Sequence, residues 1–165
     1  MRAYAREPPS YFGNKALLAY HAPFPKISHS SYLCLRMHFH VASTLHTPEV
    51  QIDLSKGNIL LRGACFPENA TEFFAPIIEF LRENIQKNHV LSLELHLELT
   101  YINSAAQKSL WQLVKLLLDM GTSLQIILYR GTEDEELEDY EELVRVWERE
   151  SRLRIEEREG YYELK

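Results

Sequence analysis

The sharpest hydrophobic pattern in the chain runs from Leu91 to Thr100. Leu91, Leu93, Leu95, Leu97 and Leu99 alternate strictly with Ser92, Glu94, His96, Glu98 and Thr100. A period of two puts all the leucines on one face of a strand and all the polar groups on the other. A strand buried on both faces would read as a continuous apolar run. The pattern therefore predicts a sheet with helices on one side, the other side being open to water or to a partner.

Shorter patterns flank it. Val50, Ile52 and Leu54 alternate with Gln51 and Asp53, which predicts a strand. Ser55-Lys56-Gly57-Asn58 reads as a tight turn and Ile59 to Arg62 as the return strand of a hairpin. Asn69-x-x-Glu72 is a capping-box-like helix start, followed by Phe74, Ile77, Ile78, Leu81 and Ile85 at helical spacing. Pro76 removes a backbone donor there, which predicts a kink or a later start. A second helix is predicted from about Ser104 to Met120, with Gly121 as its stop. Leu124, Ile126 and Leu128 mark a further strand. Leu137, Tyr140, Leu143, Val144 and Trp147 share one face of a third helix, Leu153 and Ile155 mark a last strand, and Tyr161-Tyr162 adds a short piece.

The resulting order, β-β-α-β-α-β-α-β, describes an α/β fold of the α+β sandwich kind. It has two layers: a mixed sheet of about five strands with an N-terminal hairpin, and three helices on one face. Parallel crossovers of one hand place their helices on the same face when the chain moves steadily across the sheet. Residues 1–46 differ from the rest. Pro8, Pro9, Pro23 and Pro25 interrupt them and no period persists, so they read as a poorly ordered extension to a domain spanning 47–165. Met37, just upstream of the regular pattern, is a candidate natural start.

Charge and composition narrow the function classes. The net charge is -6, and the five basic side chains and one acidic side chain before Pro48 leave -10 on the remainder. This balance argues against nucleic-acid binding. No apolar run has the roughly 20 residues of a membrane span, and no secretory leader pattern is present. Two cysteines, Cys34 and Cys65, make no disulfide framework. A cytoplasmic protein with reduced thiols is expected. No P-loop, dinucleotide-binding glycine pattern, GGDEF-like stretch or serine-nucleophile elbow occurs, and neither an enzyme activity nor a cofactor is expected.

Three segments carry a family likeness: Thr47-Pro48-Glu49-Val50; Phe66-Pro67-Glu68-Asn69 leading to Glu72-Phe73-Phe74-Ala75-Pro76-Ile77-Ile78; and Leu99-Thr100-Tyr101-Ile102-Asn103-Ser104. Together they resemble the SiaC family of bacterial regulatory phosphoproteins over about residues 46–165. The resemblance implies a fold like that of STAS-type anti-sigma-factor antagonists. It also implies a dedicated Ser/Thr kinase, a phosphatase, and an unmodified form that binds and activates a diguanylate cyclase in cyclic-di-GMP signalling and biofilm control. The family's phosphoacceptor threonine, in a Tyr-x-Asn-Thr-Ser-Ser stretch, falls on Ser104. Here the stretch reads Tyr101-Ile102-Asn103-Ser104-Ala105-Ala106, with serine for threonine and alanines for the two serines that follow.

Ser104 stands where a strand gives way to a helix, beside backbone N–H groups without intrahelical partners and at the positive end of the dipole. A phosphate there adds about -1.5 to -2 charges and three acceptor oxygens. Tyr101, Asn103 and Gln107 are its neighbours. Ser104-x-x-Gln107 also reads as a capping box, in which Ser104 only caps the helix. A purely structural domain of that kind has Ser104 buried.

Other constellations admit two readings each. Glu94, His96 and Glu98, at about 7 Å spacing on the polar face, suit acid–base chemistry under a concave pocket or, with Tyr129, a flat docking face. Ile127 and Tyr129 fall out of phase with the core-facing positions of their strand and should point to that open face. Cys34, His38, His40 and His46 mimic a zinc site without its usual paired spacing, and no metal is expected. Eight of the ten residues from Glu133 to Glu142 are acidic, which fits a solvated helix face or a patch for a basic partner.

Overall fold

The computed structural model describes residues 37–130, 143–145, 147–148 and 150–163. Six strands and two full helices are ordered as β1 (His38–Val41), β2 (Glu49–Asp53), β3 (Asn58–Cys65), α1 (Ala70–Lys87), β4 (Ser92–Ile102), α2 (Ser104–Asp119), β5 (Ser123–Arg130) and β6 (Leu153–Glu159). Leu143, Val144, Arg145 and Trp147 are also helical. The strands lie in one sheet in sequence order. β1, β2 and β3 pair antiparallel, and β3 through β6 pair parallel.

Steady travel across the sheet puts the crossovers on one face. Phe74, Ile77, Leu81 and Ile85 of α1 and Leu110, Leu113 and Leu117 of α2 meet Leu93, Leu95 and Leu97 of β4 in one core, which also takes Leu143 and Trp147. The two-layer mixed architecture is the expected one. The expected five strands become six, because β1 lies inside the segment read as a disordered extension. Its four residues pair with β2 from His38↔Asp53 to Val41↔Val50, and Leu54 N–H donates to the Met37 carbonyl at 2.8 Å. Histidines at 38 and 40 around Phe39 and Val41 gave too short an alternation to register as a strand.

Two local expectations change. Leu91 is 78% exposed, because β4 begins only at Ser92 and Leu91 ends the preceding turn. α1 starts at Ala70 despite Pro76, so the later start does not occur. Asn69 Oδ1 accepts from Glu72 N–H at 3.1 Å, and the Asn69 amide donates to Glu72 Oε2. Pro76 and Glu72, whose carbonyl loses a donor, both lie on the exposed side of the helix.

Gly57, at φ +72°, turns the β2–β3 hairpin, and its carbonyl accepts from Glu94 N–H at 2.7 Å. A Cβ at Gly57 would stand 2.9 Å from the Ser92 carbonyl oxygen. Gly121, at φ +80°, has open space where its Cβ would go. Gly57→Ala should therefore combine backbone strain with a clash and lower stability by roughly 2–3 kcal/mol. Gly121→Ala should incur only the strain, roughly 1–2 kcal/mol. Urea unfolding of the two variants checks the order.

Candidate functional site

The parallel strands β3 and β4 end at the same edge of the sheet, and each feeds a helix there. Backbone bonds stitch the loops of this edge together. Asn103 N–H donates to the Cys65 carbonyl at 3.1 Å, and Phe66 N–H donates to the His46 carbonyl at 2.9 Å. The start of α2 is thus braced against the loop before β2 and the loop before α1.

Asn103 caps α2. Its backbone is extended, its Oδ1 accepts from Ala106 N–H at 2.8 Å, and its carbonyl accepts from Gln107 N–H at 2.9 Å. Ser104 is therefore the first helical residue rather than the cap, and the Ser104-x-x-Gln107 capping box does not form. Asparagine one residue earlier has the better reach to the third amide. Ser104 is exposed and Gln107 half-buried. The burial that a purely structural role would give Ser104 is absent.

A bulge shapes the surface beside Ser104. Gly63 pairs with Leu99 but Ala64 pairs with Tyr101, so Thr100 is an extra residue in β4. The slip reverses the phase of the alternation. Tyr101, which would have joined the leucines, is 47% exposed, and Ile102 goes into the core instead. Tyr101 meets Phe66 edge-on at 5.5 Å between centroids, and Phe66 meets His46 at 4.9 Å. Neither His46, weighed from sequence only as part of the zinc-like set, nor Phe66 was expected beside Ser104. The adjacent apolar pair Tyr101-Ile102, which breaks the period of two, was the available signal.

The opposite sheet face is neither flat nor open along its centre. After Gly160 the chain turns back and lays Tyr162 on His96, with ring centroids 4.3 Å apart. Arg62 Nη2 donates to the Tyr162 carbonyl at 2.8 Å, Tyr162 N–H donates to Glu98 Oε2 at 3.0 Å, and Arg62 Nε donates to the same oxygen at 3.1 Å. His96 is 2% exposed, and Leu60, Ile127 and Tyr129 are buried with it. The expected docking face of Glu94, His96, Glu98 and Tyr129 is thus corrected. Only Glu94 remains exposed, because the C-terminal segment forms a second small core over the other three.

His96 Nδ1 bonds the Tyr129 hydroxyl at 3.1 Å. Its Nε2 lies 3.3 Å from Glu94 Oε2, without the alignment of a hydrogen bond. Burial holds His96 below the usual imidazole range against the opposing pull of Glu94. Burial pushes Tyr129 up. A cavity of about 300 Å³ adjoins this cluster. The concavity and the shifted histidine that an enzyme would need are both here, but Tyr162 covers the imidazole. Burial also pushes the Cys65 thiol up to about 12.

The zinc-like set does not assemble. His38 and His40 pair with Asp53 at 3.6 Å and Glu49 at 3.1 Å, His46 stacks on Phe66, and Cys34 lies outside the described residues. Among the described residues no group of three or more His, Cys, Asp or Glu is placed to hold a metal. The acidic run from Glu133 to Glu142, with Leu137 and Tyr140, lies outside the described residues. No described helix is long and apolar enough to cross a membrane.

Known proteins share this architecture. The family model of the SiaC family regulatory phosphoproteins matches residues 41–151. An uncharacterised protein of Pseudomonas aeruginosa is 32% identical over 78 residues, which are 47% of this chain and 61% of that protein. The chain therefore aligns with about three-fifths of the length of that curated relative. The structure of SiaC of Pseudomonas aeruginosa superposes with a TM-score of 0.62 at 21% identity, covering 74% of this chain and 98% of that one. SiaC from the complex in which it is the activator of the diguanylate cyclase SiaD gives 0.62 at 22% identity, covering 74% and 99%. At these identities the solved structures share the fold.

Two outcomes follow from the geometry. Asn103→Ala should cost about 1 kcal/mol of stability, whereas Ser104→Ala should stay within about 0.5 kcal/mol of the parent, both by urea unfolding. For His96, the folded form binds its proton less readily than the unfolded form. Its contribution is complete above the ordinary value of 6.5 and is lost as pH falls. His96→Gln should flatten the decline in stability between about pH 7 and pH 5, where one proton accounts for up to ~1.4 kcal/mol per pH unit.

Proposed function

Since the chain belongs to the SiaC family of regulatory phosphoproteins, we propose that it is a phosphorylation-gated activator of a partner protein in the bacterial cytoplasm, with Ser104 as the acceptor. The partner is a diguanylate cyclase, as in the complex of SiaC with SiaD. A Ser/Thr kinase writes the mark and a phosphatase removes it. The chain itself carries no catalysis.

The observation that carries this reading is the exposed Ser104 hydroxyl at the first position of α2, with the capping role held by Asn103. A kinase can reach it, and modification leaves the cap intact. The first turn of α2 has no acidic residue, whereas that of α1 has Glu72. A dianion at Ser104 thus meets the positive end of the helix dipole without local repulsion. Exposed Lys108, one turn on, adds a favourable charge at i+4 spacing. The modified chain stays folded while its surface changes. A partner that packs on Tyr101 and the start of α2 buries an aromatic ring beside a small hydroxyl. After modification it must desolvate a dianion there, and each ~1.4 kcal/mol of that cost is a tenfold loss of affinity.

With its cognate kinase and ATP, the protein should gain one phosphate, located at Ser104 by peptide mass spectrometry. Ser104→Ala should gain none and should bind the cyclase constitutively. Full-stoichiometry modification of Ser104→Ala would overturn the assignment. Tyr101→Ala should weaken cyclase binding by about tenfold or more while leaving modification at Ser104 intact.

A further inference from the structure

Tyr162 is fastened to the sheet face by side chains. Its N–H donates to Glu98 Oε2, its carbonyl accepts from Arg62 Nη2, and its hydroxyl accepts from Asn58 Nδ2 at 3.2 Å. Its ring lies on His96 and meets Tyr129 edge-on at 5.9 Å between centroids. Before it, Gly160 N–H donates to the Arg130 carbonyl at 2.9 Å. Gly160 has φ +91° with open space where a Cβ would go, so the backbone can pivot there. Residues 160–163 thus form a strap, joined to the end of β6 and laid back over the sheet.

The group directly under the strap is ionisable. His96 is 2% exposed, between Leu60 and Ile127 on the neighbouring strands. The charged and titratable groups around it are Arg62 on β3, Glu94 and Glu98 on β4, Tyr129 on β5, Glu156 and Arg158 on β6, and Tyr162 and Glu163 on the strap. Burial holds His96 below the usual imidazole range, with Glu94 pulling the other way and Arg158 reinforcing the burial. Glu94 and Arg158 stand on the sheet, so both stay beside His96 when the strap lifts. The burial does not stay. Water that reaches the imidazole removes the penalty on its charged form. The Tyr162 ring is tilted 45° to the imidazole, so attraction between a charged imidazole and the ring face offsets only part of that penalty. The closed form therefore binds this proton less readily than the open form. Closure is favoured fully above the ordinary value of 6.5 and is weakened as pH falls.

We propose that residues 160–163 are a proton-operated strap: when His96 takes up a proton, Tyr162 lifts and uncovers Leu60, Ile127 and Tyr129. All three are buried while the strap is down. Acidification thereby opens an apolar surface on the face away from the helices, through a local change that leaves the main core intact. The device makes no use of the Ser104 hydroxyl.

Amide hydrogen exchange of the full chain, followed by NMR and corrected for the intrinsic rate at each pH, tests this. One pH unit below an ordinary imidazole value, opening gains up to about tenfold. The protection factor of Tyr162 N–H should therefore fall several-fold between pH 7.5 and 5.5, while Leu95 N–H in the core stays about a hundredfold or more better protected at both. No fall in the parent chain would overturn the proposal. So would equal protection at Tyr162 and Leu95, which would mean that only whole-molecule unfolding frees the strap. In His96→Gln the fall should vanish; a fall that persists would assign the opening to the Glu98 carboxylate and overturn the role of His96. In Tyr162→Ala the imidazole of His96, titrated by its own NMR signals, should take up its proton at higher pH than in the parent. Identical titrations would show that the strap does not govern it and would likewise overturn the proposal. Circular dichroism checks that both variants fold, and the Tyr162→Ala titration stands without the substitution at His96.

Discussion

β4 is hydrogen-bonded on both sides to parallel neighbours, and its four leucines are buried in the core beneath the helices. Most of the molecule follows from that placement. Parallel partners must run in the same direction, so each connection crosses back over the sheet through a helix. α1 and α2 then start at the same edge, where amides without intrahelical partners and positive dipole ends collect. The edge that carries Ser104 is therefore a product of sheet topology. The function we propose for it needs only a hydroxyl in the right place and an aromatic surface next to it.

A one-residue slip supplies that surface. The bulge at Gly63/Ala64 leaves Thr100 unmatched and turns Tyr101 out of the core. Without it the tyrosine would lie under the helices and Ile102 would face water. The same bulge keeps Ile102 anchored directly beneath the Asn103 cap. A local irregularity thus couples a rigid inner anchor to an exposed outer ring within two residues.

The sequence made the fold legible wherever a period ran long enough. The leucine alternation, the stripes of α1 and α2, and the hairpin at Gly57 are each local patterns that burial requires. β1 was illegible because four residues hold only two cycles of alternation, and its partner strand decides its conformation. The assignment of the α2 cap failed by one residue, since Asn103 and Ser104 are both good caps and only backbone geometry chooses between them. The closure of the polar face was illegible for a different reason. It depends on Tyr162 meeting His96 across 66 positions of chain, through Arg62 on β3 and Glu98 on the same strand as His96. Each of those residues alone looks like ordinary surface. Leu60 and Ile127 on the polar side were the warning that something covers it.

Asn103 and Ser104 divide between neighbouring positions two duties that one serine often performs. The amide side chain terminates the helix, and the hydroxyl beside it is excused from any structural bond. A lineage can then exchange serine for threonine at this position, or lose the hydroxyl altogether, with folding left undisturbed. Drift in the proposed acceptor becomes cheap, and its hydroxyl can change among descendants faster than the architecture that displays it.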